Sequence, residues 1–138
     1  MTTLITAAAM AEVRSHVVEG YPSEICGMLL VSAGSAVINQ TRRVGNTVIE
    51  RARDRYEMDP IDQIRIQREC DQGGLEIIGY YHSHPDHPAM ASSTDCQRSW
   101  AGPIYLIVSC YQGEVREANA FIAESDGGAM HQVELRIL

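Results

Sequence analysis

The sequence predicts an α/β fold, a mixed β-sheet flanked by helices. Three observations predict it. Solid apolar runs at Gly27–Val31 and Ile104–Tyr111 read as buried strands. Two stretches carry helical start and stop signals, Ala7–Glu19 and the segment opened by Asp59-Pro60. Turns at Ala33-Gly34-Ser35 and Asp126-Gly127-Gly128 make hairpins, whereas the second helix links strands as a crossover, so both pairing senses are expected. At 138 residues the chain is the size of one hydrophobic core, and residues 1–138 are read as a single domain.

Each element follows from local signals. Thr6 can cap the first helix; Met10, Val13 and Val17 recur at helical spacing, and Gly20 with Pro22 stops it. After the first strand and its turn, Ala36–Asn39 returns as a second. Thr41–Met58 is polar and Arg-rich, and reads as mostly extended and partly exposed. In the second helix Pro60 occupies the first position, Ile61, Ile64 and Arg68 share a face, and Gly73-Gly74 ends the run. Leu75–Tyr81 is rich in β-branched and aromatic residues and reads as a strand. His82–Ala91, with Pro85 and Pro88, reads as a loop. Ser92 opens a short helix that Gly102-Pro103 closes. Val115–Ala123 alternates as a strand and turns into His131–Ile137.

Composition excludes several functions. Net charge is −7, and an acidic surface repels phosphate backbones and anionic lipid, so neither nucleic acid nor membrane is an expected partner. All 11 basic residues are Arg, so no side-chain amine exists for Schiff-base chemistry or for a P-loop. Cys26, Cys70, Cys96 and Cys110 form no C-x-x-C pair, which excludes a zinc ribbon and a thioredoxin-like motif. With no basic, apolar leader and no membrane-length apolar run, the expected setting is the cytoplasm, with reduced thiols. Exposed strand edges make a homodimer an expectation as well.

The informative segment runs from Tyr80 to Asp95. Three of the five histidines, His82, His84 and His87, fall within six residues. In an extended backbone His82 and His84 point to the same side, roughly 6–7 Å apart, and can converge on one ion. Asp95 lies three residues after Ser92 on the short helix and can add a carboxylate oxygen. Two His and one Asp leave a tetrahedral zinc one open position, as catalytic rather than structural sites do. Taken alone, Ser92-x-x-Asp95 is a helix start, a serine cap with an acid at N3. His87 reads as an exposed loop tip, and His16 and His131 carry no assigned role. Ser83 points away from the histidines and orients the loop.

His82-Ser83-His84-Pro85, six residues, then Ser92-Ser93-Thr94-Asp95 resembles the H-[ST]-H-P-x6-S-x-x-D signature of the JAMM (MPN+) metalloprotease family. Pro22-Ser23-Glu24-Ile25-Cys26-Gly27 resembles the P-x-E-x-C-G context of that family's upstream glutamate. The order of elements also resembles the JAMM/MPN core, a cytidine-deaminase-like architecture, over essentially the whole chain. The resemblance implies that His82, His84 and Asp95 hold Zn2+, that Glu24 is the general base and then the general acid, and that Ser92 stabilises the oxyanion. It further implies hydrolysis by metal-activated water of the bond after the C-terminal Gly-Gly of a ubiquitin-like protein. The compact length resembles the bacterial branch that processes sulfur-carrier proteins. Arg51, Arg53 and Arg55 alternate in an extended stretch and could face such an acidic carrier, although a solvated, charged strand edge explains them better.

Other readings compete. A non-catalytic MPN-type scaffold would lack some of these residues, and this chain has all of them. A zinc deaminase needs H-x-E and a downstream P-C-x-x-C, which are absent. A metallohydrolase acting on a small-molecule amide would use the same residues.

Overall fold

A computed structural model describes residues 1–138. Its elements, in chain order, are β1 (Thr2–Ile5), α1 (Ala7–Gly20), β2 (Cys26–Ser32), β3 (Val37–Val44), α2 (Pro60–Gly73), β4 (Leu75–Pro85), α3 (Ser93–Gln97), β5 (Ile104–Tyr111), β6 (Glu114–Ala123) and β7 (Met130–Ile137). The sheet is mixed, in the order β1-β3-β2-β4-β5-β6-β7, and closes on itself because β1 pairs with both β3 and β7. β1 escapes sequence reading: four residues carry little periodicity, and two parallel partners from distant parts of the chain define it. This closure also takes up sheet edge on which the homodimer expectation rested.

The two faces of the sheet bury different helices. The α1 face gathers Met10, Val13 and Val17 with Leu29, Val31, Ile38, Tyr81, Leu106 and Val108. Thr6 caps α1, its hydroxyl accepting from the Ala9 N–H at 3.1 Å. The other face seats α2 through Ile66 and Cys70 on Cys26, Met28, Leu30 and Val44. Ile61 and Ile64 are exposed, so the face they share with Arg68 looks outward. Ile66 and Cys70, one turn apart, form the buried seam instead. Asp59 caps α2 from its Oδ1, which accepts from the Ile61 N–H at 2.8 Å, and Gly74 closes it with a left-handed φ of 67°.

β4 is the spine of the molecule and is longer than its sequence suggests. It runs antiparallel to β2 and parallel to β5, and the second ladder continues through His82↔Ile107, Ser83↔Val108, His84↔Ser109 and Pro85↔Cys110. The polar His-Ser-His stretch, expected as loop, is therefore strand, held there by a buried and mostly apolar neighbour. The close β4–β5 approach needs Gly79, where a Cβ would run into the Ile104 backbone. Alternation then puts Tyr81 into the α1 core and His82 and His84 on the opposite face. At the end of the short α3, residues 98–103 form a turn rather than the helix expected up to Gly102-Pro103.

Candidate metal centre

His82 and His84 are 1% and 2% exposed, and their Nε2 atoms lie 3.3 Å apart. α3 brings Asp95 to them. Its Oδ1 is 3.1 Å from His82 Nε2, and its Oδ2 is 3.1 Å from His84 Nε2. A capping box places that carboxylate: the Ser92 hydroxyl accepts from the Asp95 N–H at 3.0 Å, and the Ser92 N–H donates to Asp95 Oδ2 at 2.9 Å. The cap expected of Ser92 is thus present, and it orients Asp95. Because that hydroxyl accepts here, its own proton remains free to donate into the cleft.

Neighbours fix the imidazoles. His84 Nδ1 lies 2.8 Å from the Pro88 carbonyl, so the neutral ring keeps its proton on Nδ1 and turns the Nε2 lone pair to the site, whereas the protonated ring donates from Nε2 to Asp95. Tyr56 stacks on His82, with ring centroids 4.7 Å apart and 26° between planes. His87 stacks on His84 at 4.4 Å. His87 is thus no exposed loop tip: its Nδ1 reaches the Pro85 carbonyl at 2.8 Å and its ring lines the cleft. His82 Nδ1 is buried with no hydrogen-bond partner.

Glu24, 5% exposed, arrives from the segment before β2. Ser83 positions it: its hydroxyl accepts from the Ile25 N–H at 2.9 Å, and its N–H donates to the Ile25 carbonyl at 3.1 Å. The Glu24 N–H donates to the Ala52 carbonyl, and Asn46 Nδ2 donates to the Glu24 carbonyl at 3.1 Å. Ligand atoms of Glu24, His82 and His84 all lie within 4.8 Å of one another. Burial pushes the Glu24 carboxyl up to about 7, with Asp95 adding and His84 opposing. Burial also opposes the ionisation of Asp95, but hydrogen bonds from His82 and His84 outweigh it and hold its carboxyl well below the usual range. His82 is pushed down by burial; in His84 burial also lowers, but its bonds to Asp95 and Pro88 outweigh it and raise the imidazole.

A cleft of about 220 Å³ opens onto Glu24, His84, Ser92 and Asp95. Arg51, Arg55 and Arg98 stand on its wall, so two of the three alternating arginines line the cleft; the third, Arg53, turns to Asp86 at 2.6 Å. Asp86, at φ 57°, also accepts from the Tyr21 hydroxyl at 2.7 and 2.9 Å and from the Gln112 N–H at 2.8 Å. It therefore ties the approach to Glu24, the 46–55 segment and the end of β4 into one knot.

The donor set fits a divalent metal. Tetrahedral zinc, with nitrogen and oxygen ligands at about 2.0–2.2 Å, needs donor atoms roughly 3.3–3.5 Å apart. The two Nε2 atoms and the Asp95 oxygens are separated by 3.1–3.3 Å. Residues 6–121 match the family model described as prokaryotic homologs of the JAB domain.

The chain belongs to that family.

A desampylase from Haloferax volcanii is 34% identical over 110 residues, 76% of this chain and 78% of that protein. A solution structure from Salinibacter ruber is similar with a TM-score of 0.75 at 30% identity, covering 98% of this chain and 91% of that one. The structure described as a metalloprotease-like JAMM zinc site in the proteasome and signalosome shares the fold, with a TM-score of 0.58 at 16% identity over 100% of this chain and 99% of that one. This JAB-domain protein is thus a compact JAMM/MPN member and a JAMM-type hydrolase.

The structure brings His84, Asp95, Glu24 and Ser92 around one cleft, with His82 buried just behind His84 and Asp95. Sequence reasoning missed Tyr56, Asn46, Asp86 and Arg98. None carries a local signal, because each reaches the site across 30 or more residues of fold or from the irregular 46–58 stretch.

Proposed function

We propose that this JAB-domain hydrolase cleaves the amide bond after the C-terminal Gly-Gly of a ubiquitin-like sulfur-carrier protein, with His82, His84 and Asp95 holding Zn2+. One observation carries the reading: two imidazole nitrogens and a carboxylate converge at 3.1–3.3 Å beside a buried glutamate in an open cleft. A non-catalytic scaffold would have no need of that arrangement. The desampylase relative supports a ubiquitin-like protein as substrate.

Zinc, when bound, supplies Lewis acidity that polarises the scissile carbonyl and makes water nucleophilic near neutral pH. The chain's residues do the rest. Glu24 accepts the proton of the attacking water on its carboxylate and returns it to the departing amine nitrogen. A carboxyl displaced towards neutrality by burial is well matched to both transfers. Ser92 donates its free hydroxyl proton to the oxygen that gains charge, as the C–N bond prepares to break. Asp95, fixed by the capping box, and His84, fixed by Pro88, keep the donors in place. No helix is long and apolar enough to cross a membrane.

The test is Glu24→Gln with a sulfur-carrier protein extended beyond its Gly-Gly by a reporter peptide. The variant retains about one zinc per chain by elemental analysis and loses at least 10²-fold in cleavage. Cleavage within threefold of wild type would overturn the assignment of the base, and loss of zinc would make Glu24 a ligand instead.

A further inference from the structure

Beside the metal cleft lies a second recess of about 270 Å³ with a different lining. Met58, Tyr80, Trp100 and Tyr105 supply half of its eight lining residues, with the Tyr80 and Tyr105 rings 5.9 Å apart. The metal cleft has one apolar lining residue, Tyr56. Tyr56 and Arg98 belong to both walls, so the recess continues the cleft rather than standing apart from it. Arg98 is fixed at that junction by the Tyr56 carbonyl at 2.6 Å and by Glu57.

Trp100, the only tryptophan in the chain, stands 62% exposed at the edge of the recess. Its loop is braced from three directions. The Trp100 N–H donates to the Tyr105 hydroxyl at 2.8 Å, the Ala101 N–H to Asp126 Oδ1 at 2.9 Å, and the Gly127 N–H to the Ser99 carbonyl at 2.8 Å. Ser99 in turn donates from its hydroxyl to the Cys96 carbonyl at the end of α3. A fixed backbone that holds a large aromatic side chain in water has the character of a preorganised binding anchor, because little entropy is lost when a partner covers it.

We propose that Trp100 and the aromatic recess dock an apolar side chain of the ubiquitin-like substrate adjoining its C-terminal tail, while the polar cleft takes the tail itself. The inference rests on the proposed function and deepens it. The shared Tyr56–Arg98 wall argues for this occupant: a chain that leaves the cleft at that end meets Trp100 next. The division of labour also suits the linings, a polar channel for a side-chain-free Gly-Gly backbone and an apolar pocket for a neighbouring side chain.

Two measurements test it. Trp100→Ala raises KM for the extended sulfur-carrier protein about 30-fold, the loss typical of an aromatic hot spot, with kcat held. A short peptide carrying only the Gly-Gly tail shows no such loss, and Trp100→Phe recovers most of it on the protein. An unchanged KM for the protein, or equal losses on protein and peptide, would overturn the docking role. In the Glu24→Gln background, where cleavage does not interfere, emission from Trp100 shifts to the blue and saturates on titration with a tryptophan-free sulfur-carrier protein. Unchanged emission at high carrier concentration would overturn the proposal even if no substrate is ever cleaved. If the wild type cleaves neither substrate yet the emission shift saturates, the proposed function fails and the docking surface stands.

Discussion

Replacing Ser92 separates the cap that its hydroxyl provides from the oxyanion-donor role proposed for it. It caps α3 by accepting from the Asp95 N–H at 3.0 Å, and it has a proton to give to an oxyanion in the cleft. Glycine is the informative substitution. At an N-cap it costs only a few tenths of a kcal/mol relative to serine, whereas alanine costs about 1 kcal/mol, or roughly 3–5 °C in Tm for a chain of this size. Glycine also preserves the backbone N–H that donates to Asp95 Oδ2 at 2.9 Å, so the carboxylate keeps its bond to the cap residue and only the Asp95 N–H loses its acceptor. Losing an oxyanion donor costs about 2.7–4 kcal/mol, or 10²–10³ in kcat. Ser92→Gly is therefore expected to melt within about 2 °C of wild type, to bind about one zinc, and to lose 10²–10³ in kcat on the extended carrier protein. Ser92→Thr, which keeps the hydroxyl, retains most of the rate. Scanning calorimetry, elemental analysis and steady-state kinetics on the same preparations decide it. A Ser92→Gly enzyme within threefold of the wild-type kcat would show that Ser92 is a cap and nothing more.

Other parts of the structure make independent predictions. His16 is buried against Tyr81, its Nδ1 2.7 Å from the phenol oxygen, and burial, aided by Arg43, lowers it to about 4. The unfolded chain, with an ordinary imidazole near 6.5, takes up a proton that the folded chain refuses. Stability is therefore full above pH 6.5 and falls by about 3 kcal/mol as pH drops to 4. Urea melts of wild type and His16→Gln across that window test the sign: the variant has a shallower slope, and equal slopes would refute the burial account. Asp86→Asn keeps a side chain that tolerates positive φ but weakens the pair with Arg53. It lowers kcat more than KM, leaves zinc content near one per chain, and speeds amide hydrogen exchange over residues 50–56; unchanged exchange there would remove Asp86 from the support of Glu24. His84→Ala loses zinc outright, and retention of a full equivalent would exclude His84 as a ligand.

Much of the site was legible because its residues are close in sequence and their geometry is local. Extended backbone sends His82 and His84 to one side wherever the strand ends, so misplacing the end of β4 did not misplace them. Ser92 and Asp95 are joined by a capping box, which is itself a short-range device. Glu24 lacks any such local mark and was reached only through the Pro22–Gly27 resemblance; its burial depends on Ser83 and Ala52, one on β4 and one in the 46–58 stretch. That stretch was the least legible. Its ordering comes from Asn46, which receives the Glu57 and Val48 N–H groups, and from Arg53 and Arg98 reaching other elements. The strand boundary failed for a related reason: apolar β5 holds polar His82–His84 in the ladder, and a pairing partner is invisible from one strand's composition. The exposed Ile61–Ile64 face of α2 shows the same limit, since helical spacing finds a face without saying which way it looks.

The central claim is that one divalent ion sits among His82, His84 and Asp95 with Glu24 outside its ligand shell. Because Glu24 lies with the two histidines within 4.8 Å, the geometry also admits the glutamate as a direct ligand. Anomalous diffraction at the zinc edge from a zinc-loaded crystal decides between them. The account predicts one peak about 2.0–2.2 Å from His82 Nε2, His84 Nε2 and an Asp95 oxygen, with the Glu24 carboxylate beyond bonding distance. A peak bonded to Glu24 in place of Asp95, or one centred away from the two histidines, would contradict it.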